Sequence, residues 1–168
     1  IYGVTKAYCT RVGNGVFPTE IFGSIADDLR EKGNEFGSNT KRPRRIGWLD
    51  LPALKYAVML NGITQLILTK ADILNGLESV PICTHYEING ERTDIFSMMS
   101  TETKITPVWE QLIGWDVDFS NIENEDQLPT ELKKFIHFLA YHLEIPVKFL
   151  STGPNREEIL EIGSCETS

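Results

Sequence analysis

Short apolar runs with two different spacings alternate along this chain, which predicts alternating strands and helices. Residues 4–12 mix β-branched and aromatic side chains and predict a strand, as do residues 64–69 and 147–150. Between the last two strands, five apolar residues share one face of a predicted helix, with Pro129 near its start and Pro146 after its end. These five are Leu132, Phe135, Ile136, Leu139 and Leu143.

Capping residues predict two further helices. Ser24 followed three residues later by Asp27 resembles a capping box, and Gly33 stands where that helix is expected to end. Asp50 can cap a second helix with Pro52 in its first turn, where the missing amide removes no hydrogen bond.

The order of the predicted elements indicates an α/β fold with a mainly parallel sheet flanked by helices. One antiparallel β-hairpin is also predicted, because residues 82–88 and 92–98 flank Asn89-Gly90. In such folds ligands bind at the carboxyl ends of parallel strands. We expect three loops at such ends, namely 13–19, 70–76 and 151–155.

Composition narrows the class of protein. The chain has 168 residues, of which 41% are hydrophobic and 24% charged, as expected for a globular domain, and no apolar run could span a bilayer. A net charge of −8 disfavours general nucleic-acid binding. The cysteines Cys9, Cys83 and Cys165 have no metal-binding spacing, which fits a reducing compartment. The first residue is Ile1 and no leader follows it, so we expect the chain to begin inside a longer protein.

One segment is locally basic although the chain is acidic. Residues 33–48 form a long predicted loop, and within it 41–45 (KRPRR) holds four cations. Arginine forks suit bidentate binding of a carboxylate or phosphate, so this loop is a candidate anion site. A solvated basic face or a basic targeting tract remains an alternative.

Two loops could together bind guanine. Asp72, in the run 69–72 (TKAD), can accept hydrogen bonds from the N1–H and exocyclic amine of guanine, while the stem of Lys70 lies across the ring. Residues 151–154 (STGP) offer hydroxyls and amides to the O6 edge. The alternatives are a surface loop in which Asp72 caps a helix, and a plain turn at 151–154.

Other candidate chemistry is weak. His137 and His142 are five residues apart on one helix, unlike a metal pair, and His85 lies in a strand. Trp109 and Trp115 are assigned to packing, with an interface role left open. The sequence contains no phosphate-binding GxxxxGK[ST] run and no pattern of nucleophile and base.

Four blocks of the chain resemble the adenylosuccinate synthetase family in order and spacing. They are 4–20 (VTKAYCTRVGNGVFPTE), 33–50 (GNEFGSNTKRPRRIGWLD), 68–77 (LTKADILNGL) and 151–156 (STGPNR), with 91–130 the least distinctive stretch. The resemblance implies the C-terminal portion of a larger P-loop-type GTP-binding fold, with residues 1–168 forming one segment of a single synthetase domain. It also implies a cytoplasmic, homodimeric ligase that joins IMP and L-aspartate to adenylosuccinate, using GTP and Mg²⁺, in the first committed step from IMP to AMP.

The resemblance assigns a substrate-binding loop at 33–48 and guanine-binding loops at 69–76 and 151–155. Its implied aspartate and IMP contacts are Val12, Gly13, Ser38, Asn39, Thr40, Lys41, Arg42, Pro43 and Arg44. Its implied GTP contacts are Arg44, Lys70, Ala71, Asp72, Ser151, Thr152 and Gly153. Arg42 would contact both IMP and aspartate, and Arg44 would bridge aspartate and GTP.

The resemblance places no catalytic residue and no Mg²⁺ ligand in this chain, because those groups and the phosphate loop lie towards the N-terminus of the family. We therefore expect the chain alone to be inactive. The substrate loop departs from the family pattern of two threonines and a glycine, since Asn39 replaces the first threonine, Lys41 the glycine, and Pro43 separates the arginines. These changes predict an aspartate affinity unlike that of typical members.

Two other classes of function remain open at this stage. One is a GTP-binding module without synthetase activity, which would use the 70–72 and 151–154 loops and have no need of the arginines. The other is a noncatalytic interaction domain that binds polyanions through the basic tract.

Overall fold

The computed structural model describes residues 1–96 and 104–163, and these residues form helices and strands in alternation. The helices are α1 Ser24–Lys32, α2 Leu51–Asn61 and α3 Thr130–Leu143, with single 3₁₀ turns at Asp72–Leu74, Phe119–Asn121 and Glu125–Gln127. The strands are β1 Tyr2–Lys6, β2 Cys9–Arg11, β3 Arg45–Gly47, β4 Leu49–Asp50, β5 Gln65–Thr69, β6 Ser79–Ile88, β7 Glu91–Thr93, β8 Ile105–Ile113, β9 Val147–Ser151 and β10 Ile159–Glu161. No helix within these ranges has the length and apolar character needed to cross a membrane.

The chain divides into two compact units. The first contains Ile1–Ala7, Leu54–Val80 and the residues from Leu112 onwards, and the second contains Tyr8–Ala53 and Pro81–Gln111. The expectation that all 168 residues belong to one larger synthetase domain stays a prediction.

A mixed sheet forms the centre of the first unit. Its order is β1-β5-β9-β10, with β1, β5 and β9 parallel and β10 antiparallel at one edge. Leu66, Leu68 and Leu150 are fully buried in it. The α/β class and its mainly parallel sheet are therefore confirmed, with one antiparallel strand added that the sequence did not indicate.

Helix α3 packs against β9 through the face that its periodicity predicts. All five predicted apolar residues are buried, and Leu132, Phe135 and Leu139 have no exposed surface. Each buried side chain of this size stabilises the fold by about 1.5–3 kcal/mol. The helix ends at Leu143 and is capped by Glu144, which has a left-handed conformation with φ 56°, before Pro146.

The second unit contains the antiparallel strand pairs β2–β3 and β6–β7 and the parallel pair β4–β6. Strands β2 and β3 pair with Arg11 opposite Arg45. The predicted hairpin is present, with Ile88 opposite Glu91 and a two-residue turn in which Asn89 and Gly90 both have positive φ. Its second strand stops at Thr93, earlier than predicted, and residues 97–98 of the prediction lie outside the described ranges.

Three local predictions were wrong. Residues 4–12 form two strands, β1 and β2, because the chain bends at Ala7-Tyr8, where both side chains are buried. Ser24 is the first residue of α1 and caps nothing, since Gly23 occupies the cap position and Asp27 pairs with Arg30. The predicted 33–48 loop contains β3 in its second half.

Asp50 confirms the predicted cap of α2 and has a second role in the core. Its Oδ1 atom accepts from the amide of Ala53 at 3.1 Å and from the hydroxyl of the fully buried Tyr86 at 2.5 Å. Burial raises the pKa of Asp50, with these two hydrogen bonds opposing that rise.

Asp50→Ala should destabilise the fold by about 2–4 kcal/mol, because it removes a helix cap and leaves the Tyr86 hydroxyl buried without an acceptor. Chemical unfolding monitored by circular dichroism measures the difference. Asp50→Asn is the matched control and should lose much less, since it keeps an acceptor oxygen and removes a charge that burial disfavours. Equal losses for the two variants would contradict this account.

Candidate functional site

The 70–72 loop of the first unit leaves the sheet through a constrained turn. Lys70, directly after β5, has a left-handed conformation with φ 62°, which is uncommon for a residue other than glycine. The carbonyl of the buried Ala71 accepts from the indole of Trp115 at 3.1 Å. Trp115 is itself buried and packs edge-on against Phe135, which confirms its packing role and fixes the loop to the core.

Asp72 opens the 3₁₀ turn that follows and is half-buried. Burial raises the pKa of Asp72, and the nearby carboxylate of Glu158 raises it further. The rise is opposed by hydrogen bonds from the backbone amides of Asp72 and Ile73 and by the positive charge of Lys70. A ligand that offers hydrogen-bond donors would stabilise the charged form of this carboxylate, which burial disfavours.

The 151–155 turn lies at the end of β9, of which Ser151 is the last residue. The Ser151 hydroxyl donates to the carbonyl of Gly153 at 2.9 Å, and the amide of the buried Thr152 donates to the carbonyl of Glu158 at 2.9 Å. The Glu158 carboxylate also accepts from the amide of Asn155 at 2.5 Å. A Cβ atom at position 153 would overlap this carboxylate, so a larger residue there would displace the Glu158 side chain.

These two loops lie side by side. Strands β5 and β9 are adjacent and parallel, with Leu68 opposite Leu150, so residues 70–72 and 151–153 leave the same edge of the sheet from neighbouring strands. This is the arrangement expected of a ligand site in a parallel α/β sheet. The expectation that the third loop, 13–19, follows a parallel strand was wrong, because it follows β2, which pairs with β3 in antiparallel fashion.

The arginine loop of the second unit closes on itself. Phe36 and Pro43 form an isolated β-bridge, and the amides of Gly37 and Lys41 donate to the carbonyls of Arg42 and Gly37, each at 2.9 Å. The tip residues 38–42 are exposed, and the Thr40 hydroxyl accepts from the amide of Arg42 at 3.4 Å. The loop is thus anchored at both ends, as its flanking residues predict.

A buried carboxylate holds Arg44 at the base of this loop. Glu35 is fully buried and accepts from Arg44 Nη1 at 2.6 Å and from the hydroxyl of the buried Tyr8 at 2.7 Å. The backbone of Arg44 is fixed as well, because its amide donates to the carbonyl of Glu35 and its carbonyl accepts from Arg30 Nε, both at 2.9 Å. Arg44 therefore presents a fixed cation with part of its guanidinium still exposed.

Val12 and Gly13 emerge near Arg44, because Arg11 and Arg45 are opposite each other in the β2–β3 pair. Arg45 itself forms a two-point ion pair with Glu20 and contacts the 13–17 loop. The second unit thus brings the 12–13 segment to the same end of this strand pair as the arginine loop.

Lys41 has φ 53°, so the position that is glycine in the family pattern does have the left-handed backbone that glycine favours. Lys41→Gly should stabilise the fold by about 0.5–1 kcal/mol, because it removes this conformational strain. The shift in denaturant midpoint measures it. Lys134→Gly, at an exposed helical site in α3, is the control and should cost about 1 kcal/mol. A loss of stability in both variants would contradict the account.

Comparison with known proteins identifies the family. Residues 1–160 match the family model described as adenylosuccinate synthetase. The chain belongs to the adenylosuccinate synthetase family. It is 48% identical over 161 residues to the adenylosuccinate synthetase of Cytophaga hutchinsonii, and the matched residues cover 95% of this chain and 37% of that protein. It is 46% identical over 160 residues to the Flavobacterium johnsoniae adenylosuccinate synthetase, covering 95% and 38%.

A solved structure of a fully ligated adenylosuccinate synthetase from Plasmodium falciparum superposes with a TM-score of 0.90 at 39% identity, covering 96% of this chain and 39% of that one. The family assignment predicted from the four sequence blocks is therefore confirmed, as is the fold. The chain spans about 38% of the length of the curated adenylosuccinate synthetases that it matches.

Sequence reasoning missed the residues that hold the predicted adenylosuccinate synthetase contacts in place. Glu35 and Tyr8 fix Arg44, Glu20 pairs with Arg45, and Trp115 fixes the 70–72 loop. The sequence offered one signal for the two carboxylates, because Glu20 and Glu35 both precede the arginine run at 41–45. Within residues 1–96 and 104–163, no group of three or more histidine, cysteine, aspartate or glutamate residues is arranged to hold a metal ion.

Proposed function

We propose that the complete gene product containing this chain joins IMP and L-aspartate to form adenylosuccinate at the expense of GTP. The observation that carries the proposal is the placement of the Asp72 and Ser151 loops at the ends of two adjacent parallel strands, in a chain of this family. The exposed arginine loop of the second unit supports it, because both co-substrates of the reaction are anions.

The guanine base of GTP is assigned to residues 70–72 and 151–153. The ionised Asp72 accepts from N1–H and the exocyclic amine, and adenine lacks that pair of donors. The Lys70 stem lies against the ring while its ammonium stays in water. Because the Ser151 hydroxyl already donates to the Gly153 carbonyl and the Thr152 amide to the Glu158 carbonyl, the O6 edge is assigned to the Gly153 amide of the 151–153 turn.

Aspartate and IMP are assigned to residues 38–44 and to Val12 and Gly13. Arg42 binds both substrates through its exposed guanidinium, and Arg44 contacts aspartate and GTP with the donors that Glu35 leaves available. Phosphoryl transfer to the IMP oxygen and displacement by the aspartate amine need positioning and neutralisation of charge, which fixed arginines supply.

The remaining parts of the proposal lie outside this chain. The phosphate loop, the catalytic residues and the Mg²⁺ ligands are assigned to the part of the synthetase that these 168 residues do not contain, so the chain alone is expected to be inactive. Cytoplasmic location and a homodimer are proposed on the resemblance to the family.

An assay with the purified complete gene product tests the proposal. Adenylosuccinate, measured by its ultraviolet absorbance and by mass spectrometry, should form only when IMP, aspartate and GTP are all present. Guanine nucleotide binding without product would support a GTP-binding module instead. Binding of polyanions that persists in Asp72→Asn, without product, would support an interaction domain.

A further inference from the structure

The side chain of Arg45 is fully engaged inside the second unit. Its Nε and Nη2 atoms donate to the two carboxylate oxygens of Glu20 at 2.7 and 2.5 Å. Its Nη1 atom donates to the carbonyls of Gly13 at 2.8 Å and Gly15 at 2.7 Å, and its guanidinium lies 5.4 Å from the centre of the Phe17 ring. Four of its five N–H donors therefore point at acceptors of the protein.

A second arginine holds the same loop from the neighbouring strand. Arg11, opposite Arg45 in the β2–β3 pair, donates through Nη1 to the carbonyl of Val16 at 2.9 Å. A Cβ atom at Gly15 would overlap the Arg11 guanidinium, so glycine lets this side chain cross the loop. Three carbonyls of the 13–16 segment therefore accept from two guanidiniums, which sets the orientation of its peptide planes.

The two-point ion pair with Glu20 makes Arg45 a rigid support. Both groups are mostly buried, with side-chain exposures of 29% for Arg45 and 15% for Glu20, and a bidentate pair fixes the plane of the guanidinium. A lysine at this position offers a single ammonium and cannot match two carboxylate oxygens and two carbonyls at once.

We propose that Arg45 is a positioning residue for IMP, which acts by holding the loop Gly13–Phe17 in its binding conformation, with Glu20 fixing Arg45 and Arg11 supporting the loop from the other side. The proposal rests on the proposed function, which assigns Val12 and Gly13 to IMP. Displacement of this loop weakens the contacts to IMP and leaves the guanine loops of the first unit unaltered.

The test uses the complete gene product with Arg45→Lys and Arg45→Ala. The KM for IMP should rise tenfold or more in both, while kcat stays within threefold and the KM for GTP stays within twofold. Arg45→Lys should not restore the KM, because charge alone does not hold the carbonyls.

Glu20→Gln and Gly15→Ala should change the KM for IMP in the same direction through the same loop. Lys32→Ala, an exposed cation at the end of α1, is the control and should leave all three values unchanged.

A purely structural role predicts a different outcome, namely a smaller active fraction and a lower melting temperature with every KM unchanged. That result, or full recovery of the KM for IMP in Arg45→Lys, would overturn the proposal.

Hydrogen exchange separates this proposal from the proposed function. The amides of residues 13–17 should exchange at least tenfold faster in Arg45→Ala than in the parent protein, and those of residues 70–76 should not change. If the parent protein binds IMP without making adenylosuccinate, the proposed function fails, and the Kd for IMP replaces the KM as the quantity that the Arg45 variants must raise. Unchanged exchange in the 13–17 loop would overturn the positioning role whatever the activity.

Discussion

Asp72→Asn should weaken GTP binding by about 2–4 kcal/mol, roughly 30- to 1,000-fold in Kd. The carboxylate of Asp72 is proposed to accept two hydrogen bonds from guanine, and hydrogen bonds to a charged group contribute about 1.5–3 kcal/mol each. The asparagine amide keeps one acceptor and turns an NH₂ group towards the exocyclic amine of the base, so one bond is lost and two donors face each other. Calorimetric titration of the complete gene product with GTP measures the loss.

The same substitution should change which nucleotide is preferred. Xanthine carries an oxygen where guanine has its amine, so the asparagine NH₂ can donate to it, and XTP should bind the variant better than GTP does. ITP, which lacks the amine, should lose less affinity than GTP. Asp126→Asn, at an exposed aspartate of the same unit, is the matched control and should bind GTP normally. An unchanged order of GTP, ITP and XTP in Asp72→Asn would rule out base reading by this carboxylate.

The raised pKa of Asp72 gives this prediction a pH dependence. If the ionised carboxylate of Asp72 binds guanine as proposed, GTP affinity should be present at neutral pH and be lost as the pH falls through the raised pKa, at a higher pH than for an ordinary aspartate. Because burial disfavours the ionised form, the contribution of Asp72 to folding stability decreases as the pH rises through that pKa. Asp72→Asn should therefore bind GTP weakly and yet be no less stable than the parent protein at pH 7.

Arg42→Leu should lower kcat/KM for both aspartate and IMP by about 2–4 kcal/mol, roughly 30- to 1,000-fold. Within the described part of the chain the Arg42 side chain has no carboxylate partner, in contrast to Arg44 and Arg45, so its guanidinium is available to substrates. A lost charge-assisted contact to each substrate accounts for the size of the effect. Steady-state kinetics with each substrate varied in turn provides the measurement, and the KM for GTP should change least.

Lys32→Leu is the control for Arg42→Leu, because it removes the same charge from an exposed position of the same unit. It should leave both kcat/KM values within about twofold, since the long-range effect of a single exposed charge is screened by salt. Equal losses in the two variants would mean that net charge attracts the anionic substrates and that Arg42 makes no specific contact.

The parts of the structure that depend on local sequence were predictable. The buried face of α3 follows from the spacing of five apolar residues, and the Asn89-Gly90 turn from two residues that tolerate positive φ. A common sheet edge for the Asp72 and Ser151 loops also follows, because both come directly after apolar strands of a parallel sheet. That these two strands are neighbours does not follow, and the same reasoning was wrong for the 13–19 loop. The proximity of residues 12–13 to the arginine loop does not follow from the sequence. It depends on the pairing of β2 with β3, which are three-residue strands with little periodicity.

Contacts between distant residues decided what the sequence could not show. Glu35 reads as one acidic residue in a polar loop, and only its burial between Tyr8 and Arg44 reveals its role. Ser24 and Asp27 match a capping pattern, but Gly23 adopts φ 82° and takes the cap position, so the local signal was overridden. Strand β10 has only three residues, and it forms by pairing with β9, which local sequence does not reveal.

The buried pair of Glu35 and Arg44 restricts which single replacements the arginine loop can accept. Replacing Arg44 alone would remove the cation from a fully buried carboxylate, and breaking a buried pair in this way costs about 3–5 kcal/mol in other proteins. A variant at position 44 that keeps the stability of the fold is therefore expected to need a compensating replacement at position 35, with Tyr8 adjusted to match, because Glu35 bonds to both of these side chains.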